Sequence, residues 1–253
     1  MTTFKLELQH VYKEYPLQNG SFKTLEDISM QIEKGEFVSI IGPSGSGKST
    51  LFNLISGLDS PTKGDILLDG QSIKNKKGFV SYMPQKDHLL PWRTVLDNVI
   101  LGMEIKGIPK ETARKKALEH LDVFGLASFA NEYPSALSGG MRQRAALLRT
   151  ILLDNNVLLL DEPFGALDEI TRMKMQHWLL EIWEKYHHTI LFVTHSIDEA
   201  VYLSDRVYVF SHRPARVKEI VEIDLPRPRD PSIITGENFS RLKERLLTLL
   251  AKE

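Results

Sequence analysis

The chain has 253 residues, 42% hydrophobic and 26% charged, enough to bury a sizeable core as one large domain or two small ones. Lys and Arg number 32 against 33 Asp and Glu, so no global field draws it to nucleic acid or an anionic bilayer, which argues against a role on DNA. Cysteine is absent, which excludes disulfides, thiolate metal sites and cysteine catalysis and fits a reducing compartment.

The start, MTTFKLELQH, is strand-like and charged, with no basic segment leading into an apolar run, so an intracellular protein is expected. The first 35 residues alternate in polarity and, with GDILLDG at 64–70, predict antiparallel strands beside the core. FVSII at 37–41 then reads as a buried strand, and GPSGSGKST follows it directly at 42–50. That pattern, placed between a strand and the helical run 48–56, is a phosphate-binding loop. Gly42, Pro43, Ser44, Gly45, Ser46, Gly47, Lys48, Ser49 and Thr50 are therefore the first nucleotide-binding candidates. The glycines let successive backbone N–H groups turn inward, Lys48 supplies a point charge for the β- and γ-phosphates, and Ser49 offers a hydroxyl to Mg²⁺.

FVSYM at 79–83 is the next expected strand, ending at Pro84 and Gln85. Gln85 is neutral and can contact water or Mg²⁺ without changing the charge of the site. From about 88 to 153 the alternation of strand and helix stops, which predicts a helical insertion with helices at 110–124 and 139–153. The second of these opens at ALSGG, where Ser138, Gly139 and Gly140 make a second phosphate cradle at a helix start.

VLLL at 157–160 is a buried strand that runs into Asp161 and Glu162. Asp161 is suited to hold Mg²⁺ through its water shell, and Glu162 to accept a proton from the attacking water. A helix is expected over 168–186, then a strand at 190–193 that ends at Thr194 and His195. SIDE at 196–199 has the capping-box pattern, which starts a helix over 197–204 and holds the His195 imidazole at the turn beside the γ-phosphate. The remaining histidines considered, His10, His120, His177, His187, His188 and His212, are read as structural or surface residues. After a last core strand at 206–210, DLPRPRDP at 224–231 reads as a linker, and Phe239, Leu242, Leu246 and Leu249 recur at helical spacing. The final amphipathic helix is expected to pack back on its own domain, with a regulatory or partner-binding role as the alternative.

The whole is an α/β fold of the P-loop NTPase (RecA-like) type: a mostly parallel sheet core, an antiparallel β subdomain and a helical insertion. Every core strand ends in polar chemistry, and in such a sheet ligands bind outside the carboxyl ends of the strands. The Ser138 cradle, placed in the insertion, is expected on the far side from the chain's own phosphate loop. Two subunits set head to tail would close both loops onto one ATP across a two-fold interface.

Taken in order, GPSGSGKST, Gln85, LSGGMRQR at 137–144, LLLDEP at 158–163, GALD at 165–168 and His195 resemble the ATP-binding subunit of an ABC transporter. The resemblance covers residues 1–222, leaving 223–253 as linker and amphipathic helix. It implies an ATPase with ATP and Mg²⁺ as cofactors, Lys48, Gln85, Glu162 and His195 in catalysis, and Ser49, Gln85 and Asp161 at the metal. It further implies that Tyr15 of VYKEY stacks on adenine, that Gln85 couples the site to membrane subunits, that Ser138 and Gly140 meet the γ-phosphate in trans, and that Asp168 belongs to an interfacial loop.

HLLPWRTVLDNV at 88–99 is similar to a stretch of bacterial importers for nitrate, sulfonates, taurine and some thiamine precursors. Leu89, Leu90 and Trp92 could equally pack the core of the insertion. The resemblance implies a homodimer on the cytoplasmic face of the cell membrane, held there by transmembrane permease subunits. An extracytoplasmic solute-binding protein is an indirect partner, and no nucleic acid is expected. The alternative is a soluble ABC ATPase in cofactor assembly or DNA repair.

Overall fold

The computed structural model describes residues 4–18 and 20–251. The first three residues of the strand-like start and the last two of the final segment lie outside these, as does Asn19.

The alternating amino-terminal stretch folds as a hairpin of β1 (Leu6–Leu17) and β2 (Gly20–Ile32). After β3 (Phe37–Ile41) and α1 (Lys48–Ile55), the chain returns to the hairpin with β4 (Lys63–Leu68) and β5 (Gln71–Ser72). These four strands form an antiparallel sheet in the order β2-β1-β4-β5. Next come β6 (Ser81–Met83) and the insertion, which holds α2 (Val95–Val99), α3 (Leu101–Ile105), α4 (Lys110–Leu121) and α5 (Gly139–Ile151). The chain then alternates through β7 (Val157–Asp161), α6 (Glu169–Tyr186), β8 (Thr189–Val193), α7 (Ile197–Leu203), β9 (Arg206–Phe210) and β10 (Val217–Glu222), and ends in α8 (Glu237–Ala251). The second sheet has the order β10-β9-β3-β8-β7-β6, parallel throughout except at the β10 edge.

The continuous apolar strands are explained by what lies on each face. Side chains along a strand alternate between faces, so a strand covered on both sides is apolar at nearly every position; Ser39, the exception in β3, is fully buried and pairs with the Ser204 hydroxyl. Val38 and Ile40 of β3, Val157 and Leu159 of β7, and Leu191 and Val193 of β8 join a core shared with the antiparallel sheet and α1. Phe37 and Ile41, Leu158 and Leu160, and Ile190 and Phe192 join a second core with the insertion and α6 to α8. Each such side chain contributes about 1.5–3 kcal/mol on burial.

Two strands differ from the sequence expectation. The run at 79–83 pairs only from Ser81, because Gly78 turns through φ +88° and Phe79 is left 47% exposed at the sheet edge. The β10 strand is an edge strand in which only Val221 is fully buried and charged residues interrupt the apolar ones, so it gives no continuous apolar run. The proline-rich segment is also tightly held. Arg229 is 2% exposed and donates to the carbonyls of Val201, Tyr202 and Ser204, capping the end of α7, while Leu225 is buried. Beyond it, Phe239 and Leu246 of α8 are buried in the second core, with Leu242 and Leu249 packed against it.

Candidate active site

β3 lies between β9 and β8, so its carboxyl end, the P-loop, is flanked by the ends of two neighbouring strands. Gly47 has φ +106°, and a Cβ there would come within 2.9 Å of Leu25 and 3.0 Å of Thr24 on β2. Glycine at this position is thus required by the hairpin behind the loop as well as by the backbone turn. Lys48 is 7% exposed, and its ammonium donates to the carbonyls of Gly42 at 2.8 Å and Pro43 at 3.0 Å. Burial lowers its pKa, while the carboxylates of Glu162 and Asp161 act in the other direction.

A cavity of about 550 Å³ opens over the loop. It is lined by the P-loop from Ser44 to Thr50 except the buried Ser46, by Gln85, Glu162 and His195, and by Arg213. The ends of β3, β6, β7 and β8 therefore converge as expected. Glu162 is their meeting point: its Oε2 accepts from Gln85 Nε2 at 3.0 Å and lies 3.4 Å from His195 Nδ1. The backbone that aims it is unusual, with φ +49° in the left-handed region that side-chain-bearing residues rarely adopt. Three contacts hold it there: its N–H donates to Val193 O at 2.9 Å, and its carbonyl accepts from Gly165 N at 3.2 Å and Gln143 Nε2 at 3.3 Å.

Asp161 lies one residue deeper and is 2% exposed. Burial raises its pKa, opposed by the nearby Ser49 hydroxyl, reinforced by the Glu162 carboxylate and opposed again by Lys48. A cation above Ser49 would relieve this desolvated charge. Among the described residues no group of three or more His, Asp or Glu could hold a metal by itself. A divalent ion here would depend on Ser49, Asp161 and a ligand's own phosphate oxygens, which is the habit of Mg²⁺.

Tyr15 stands apart from this cavity. Its hydroxyl donates to Asp59 at 2.8 Å, and Lys13 Nζ sits 4.6 Å from its ring centroid. Burial and Asp59 together raise its pKa. Ser138, Gly139, Gly140 and Asp168 do not line the cavity either. Ser138 caps α5, its Oγ accepting from Met141 N at 3.3 Å, and it is exposed together with Gly139. Asp168 caps α6 through Thr171 N at 3.0 Å and is also exposed; those backbone hydrogen bonds lower its pKa.

Two further residues touch the site. Arg213, on the turn between β9 and β10, donates to Gly45 O and lies over the Phe22 ring at 4.7 Å. Nothing local in the sequence marks it. Gln143 donates to the carbonyls of Gln85 and Glu162, and it stands inside the LSGGMRQR stretch, where the signal was present.

A parallel sheet whose central strand feeds a P-loop, with two acids and a histidine on the neighbouring strand ends, defines a P-loop NTPase. Comparison with known proteins narrows this. Residues 25–165 match the family model described as ABC transporter. An uncharacterised ABC transporter ATP-binding protein of Methanocaldococcus jannaschii is 46% identical over 98% of this chain and 92% of its own. The aliphatic sulfonates import ATP-binding protein of Bacillus cereus is 42% identical over 96% and 94%. The formylaminopyrimidine import ATP-binding protein of Halalkalibacterium halodurans is 44% identical over 93% of each chain. Among solved structures, a dimeric bacterial ABC transporter cassette superposes with a TM-score of 0.80 at 33% identity, covering 87% of this chain and 100% of that one. The same cassette in a post-hydrolysis state with ADP and phosphate matches equally well. The chain belongs to the ABC transporter family and is one of its ATP-binding, ATP-hydrolysing subunits.

Proposed function

We propose that this chain is the motor of an importer for a small organic solute, sulfonate-like or thiamine-precursor-like, working as a homodimer beneath a membrane permease. The relatives that carry import names support the direction and the solute class. No helix among the described residues is long and apolar enough to cross a membrane. The import names of the relatives support a permease on a separate chain, with this subunit at its cytoplasmic face. An external solute-binding protein would deliver the solute, and the motor itself need not touch it.

ATP is the substrate, and Mg²⁺, held by Ser49 and Asp161 with Gln85 nearby, would neutralise charge on its β- and γ-phosphates. Lys48 leaves the carbonyls of Gly42 and Pro43 for the phosphates. Gln85 and His195 flank Glu162 at 3.0 and 3.4 Å and orient a water on its carboxylate, which takes the proton as that water attacks. Tyr15 offers a ring for the base. Ser138 and Gly140 of one subunit, with Asp168 beside them, would complete the site of the other, so that ATP closes the dimer and hydrolysis releases it.

The route to the permease starts at Gln85. The next residues are tied to α5, where Arg142 pairs with Asp87 at 3.2 Å and Arg149 donates to the carbonyls of Asp87 and His88. The loop beyond is shaped by Asn98, fully buried, which donates to the carbonyls of Leu90, Arg93 and Thr94 and accepts from Leu90 N. Leu89 packs inward while Trp92 is left 71% exposed, a side chain available to a coupling segment of the permease.

The observation that carries the hydrolytic reading is Glu162, held in a left-handed backbone with its carboxylate between Gln85 and His195 at the mouth of the P-loop cavity. Glu162→Gln should leave ATP affinity intact and lower kcat by about 10²- to 10⁴-fold in a phosphate-release assay. Normal turnover by that variant would refute the assignment.

A further inference from the structure

The SIDE stretch forms only half of a capping box. Ser196 Oγ accepts from Glu199 N at 3.3 Å, as the pattern requires. The reciprocal bond, from Ser196 N to the Glu199 carboxylate, is replaced: Ser196 N donates instead to Thr194 Oγ1 at 3.0 Å. Glu199 turns inward, where it is 7% exposed, and accepts from the Thr194 hydroxyl and from Gln176 Nε2 at 3.1 Å. Burying a carboxylate is costly, and burial does raise this one's pKa against the opposing pull of Thr194, Arg172, Gln176 and His195. A helix cap needs none of this, since a solvated glutamate serves it as well.

What the burial achieves is a connection between two parts of the site. On one side, the Thr194 hydroxyl is fixed by donating to Glu199 while accepting from Ser196 N, so the turn carrying His195 is locked from both flanks. On the other, Arg172 Nε lies 3.9 Å from Glu199 Oε1. The same guanidinium donates to Leu167 O at 2.8 Å and to Glu169 at 2.8 Å, gripping the turn that starts at Glu162 and ends at Asp168. The Glu162 end of that turn is fixed to β8 through Val193 O, the residue before Thr194.

We infer that Glu199 is a positioning residue for ATP hydrolysis, holding His195 against Glu162 through Thr194 and linking it through Arg172 to the 165–168 turn. This rests on the proposed role of His195. Displacing a group of the reacting constellation by a fraction of an ångström costs rate without costing ground-state affinity, so the two kinetic constants separate.

The test measures Mg·ATP hydrolysis and binding of a fluorescent ATP analogue in single and double variants of the full chain. Glu199→Ala and Arg172→Gln should each lower kcat on the order of tenfold with KM and analogue affinity unchanged. Because Glu199 acts through His195, Glu199→Ala should add no further loss to His195→Ala in single-turnover measurements. Equal loss on both backgrounds, a change confined to KM, or an unchanged kcat would overturn the inference. Should Glu199→Ala fail to bind the analogue through misfolding, Arg172→Gln, whose side chain is 30% exposed, decides the matter by the same readouts. If His195→Ala alone kept wild-type kcat, the reading of His195 would fall instead, and the two failures are thereby distinguished.

Discussion

The molecule carries two glycine-rich helix starts, and they are built in opposite ways. The loop at 42–50 is backed by its own chain: β2 presses on Gly47, Lys48 is drawn onto the loop carbonyls, and the ends of β6, β7 and β8 face it. The start at Ser138 has the same ingredients, a capping serine and two glycines, yet a Cβ built on Gly139 would meet nothing but the Arg142 guanidinium, at 3.9 Å. One loop is a finished pocket wall; the other is an open helix start, exposed at Ser138 and Gly139 and backed by its own chain at Gly140, where a Cβ would come within 3.1 Å of Leu167. Two such halves in one chain make sense when a second copy supplies the missing surface, and the matching cassette was solved as a dimer.

This difference can be broken from either side. Ser138→Arg places a bulky cation on the bare half and should reduce hydrolysis by at least about 100-fold, the scale of losing a transition-state donor, while equilibrium ATP binding to the monomer is preserved. Loss of ATP binding would show that Ser138 serves its own pocket. A smaller effect is expected on the finished half. Asp161 has its pKa raised in the folded chain above its unfolded value, so the folded state holds more protons and stability falls as pH rises through that interval. Asp161→Asn should therefore abolish most of that pH dependence and melt at a higher temperature than the parent at neutral pH, even as activity is lost. A lower melting temperature for the variant across the whole pH range would mean that the Ser49 and Lys48 contacts outweigh the burial cost.

How far the sequence could be read follows the same physical line. The strands at 37–41, 157–160, 190–193 and 206–210 were legible because burial on two faces makes their interiors almost wholly apolar, and the acids and histidine were legible because they sit where those runs stop. The β10 strand was not, since an edge strand can satisfy the core with Val221 and the half-buried Val217 while charges and the exposed Ile220 fill the other positions. Composition also misdirected the reading of DLPRPRDP, where Arg229 finds its partners on the carbonyls ending α7, a target set by tertiary packing alone. Arg213 and Glu199 show the same limit inside the site. The first is a lone arginine on a turn, and the second has a recognisable motif whose side chain goes somewhere the motif does not specify.

In the proposed mechanism ATP is held between the P-loop of one copy and the Ser138 helix start of another. Sedimentation of the Glu162→Gln variant with Mg·ATP tests it most directly. The mass should double on ATP addition and return to that of a monomer when Ser138→Arg is introduced into the same chain. A dimer that survives Ser138→Arg, or a Glu162→Gln chain that binds ATP and stays monomeric, would contradict it.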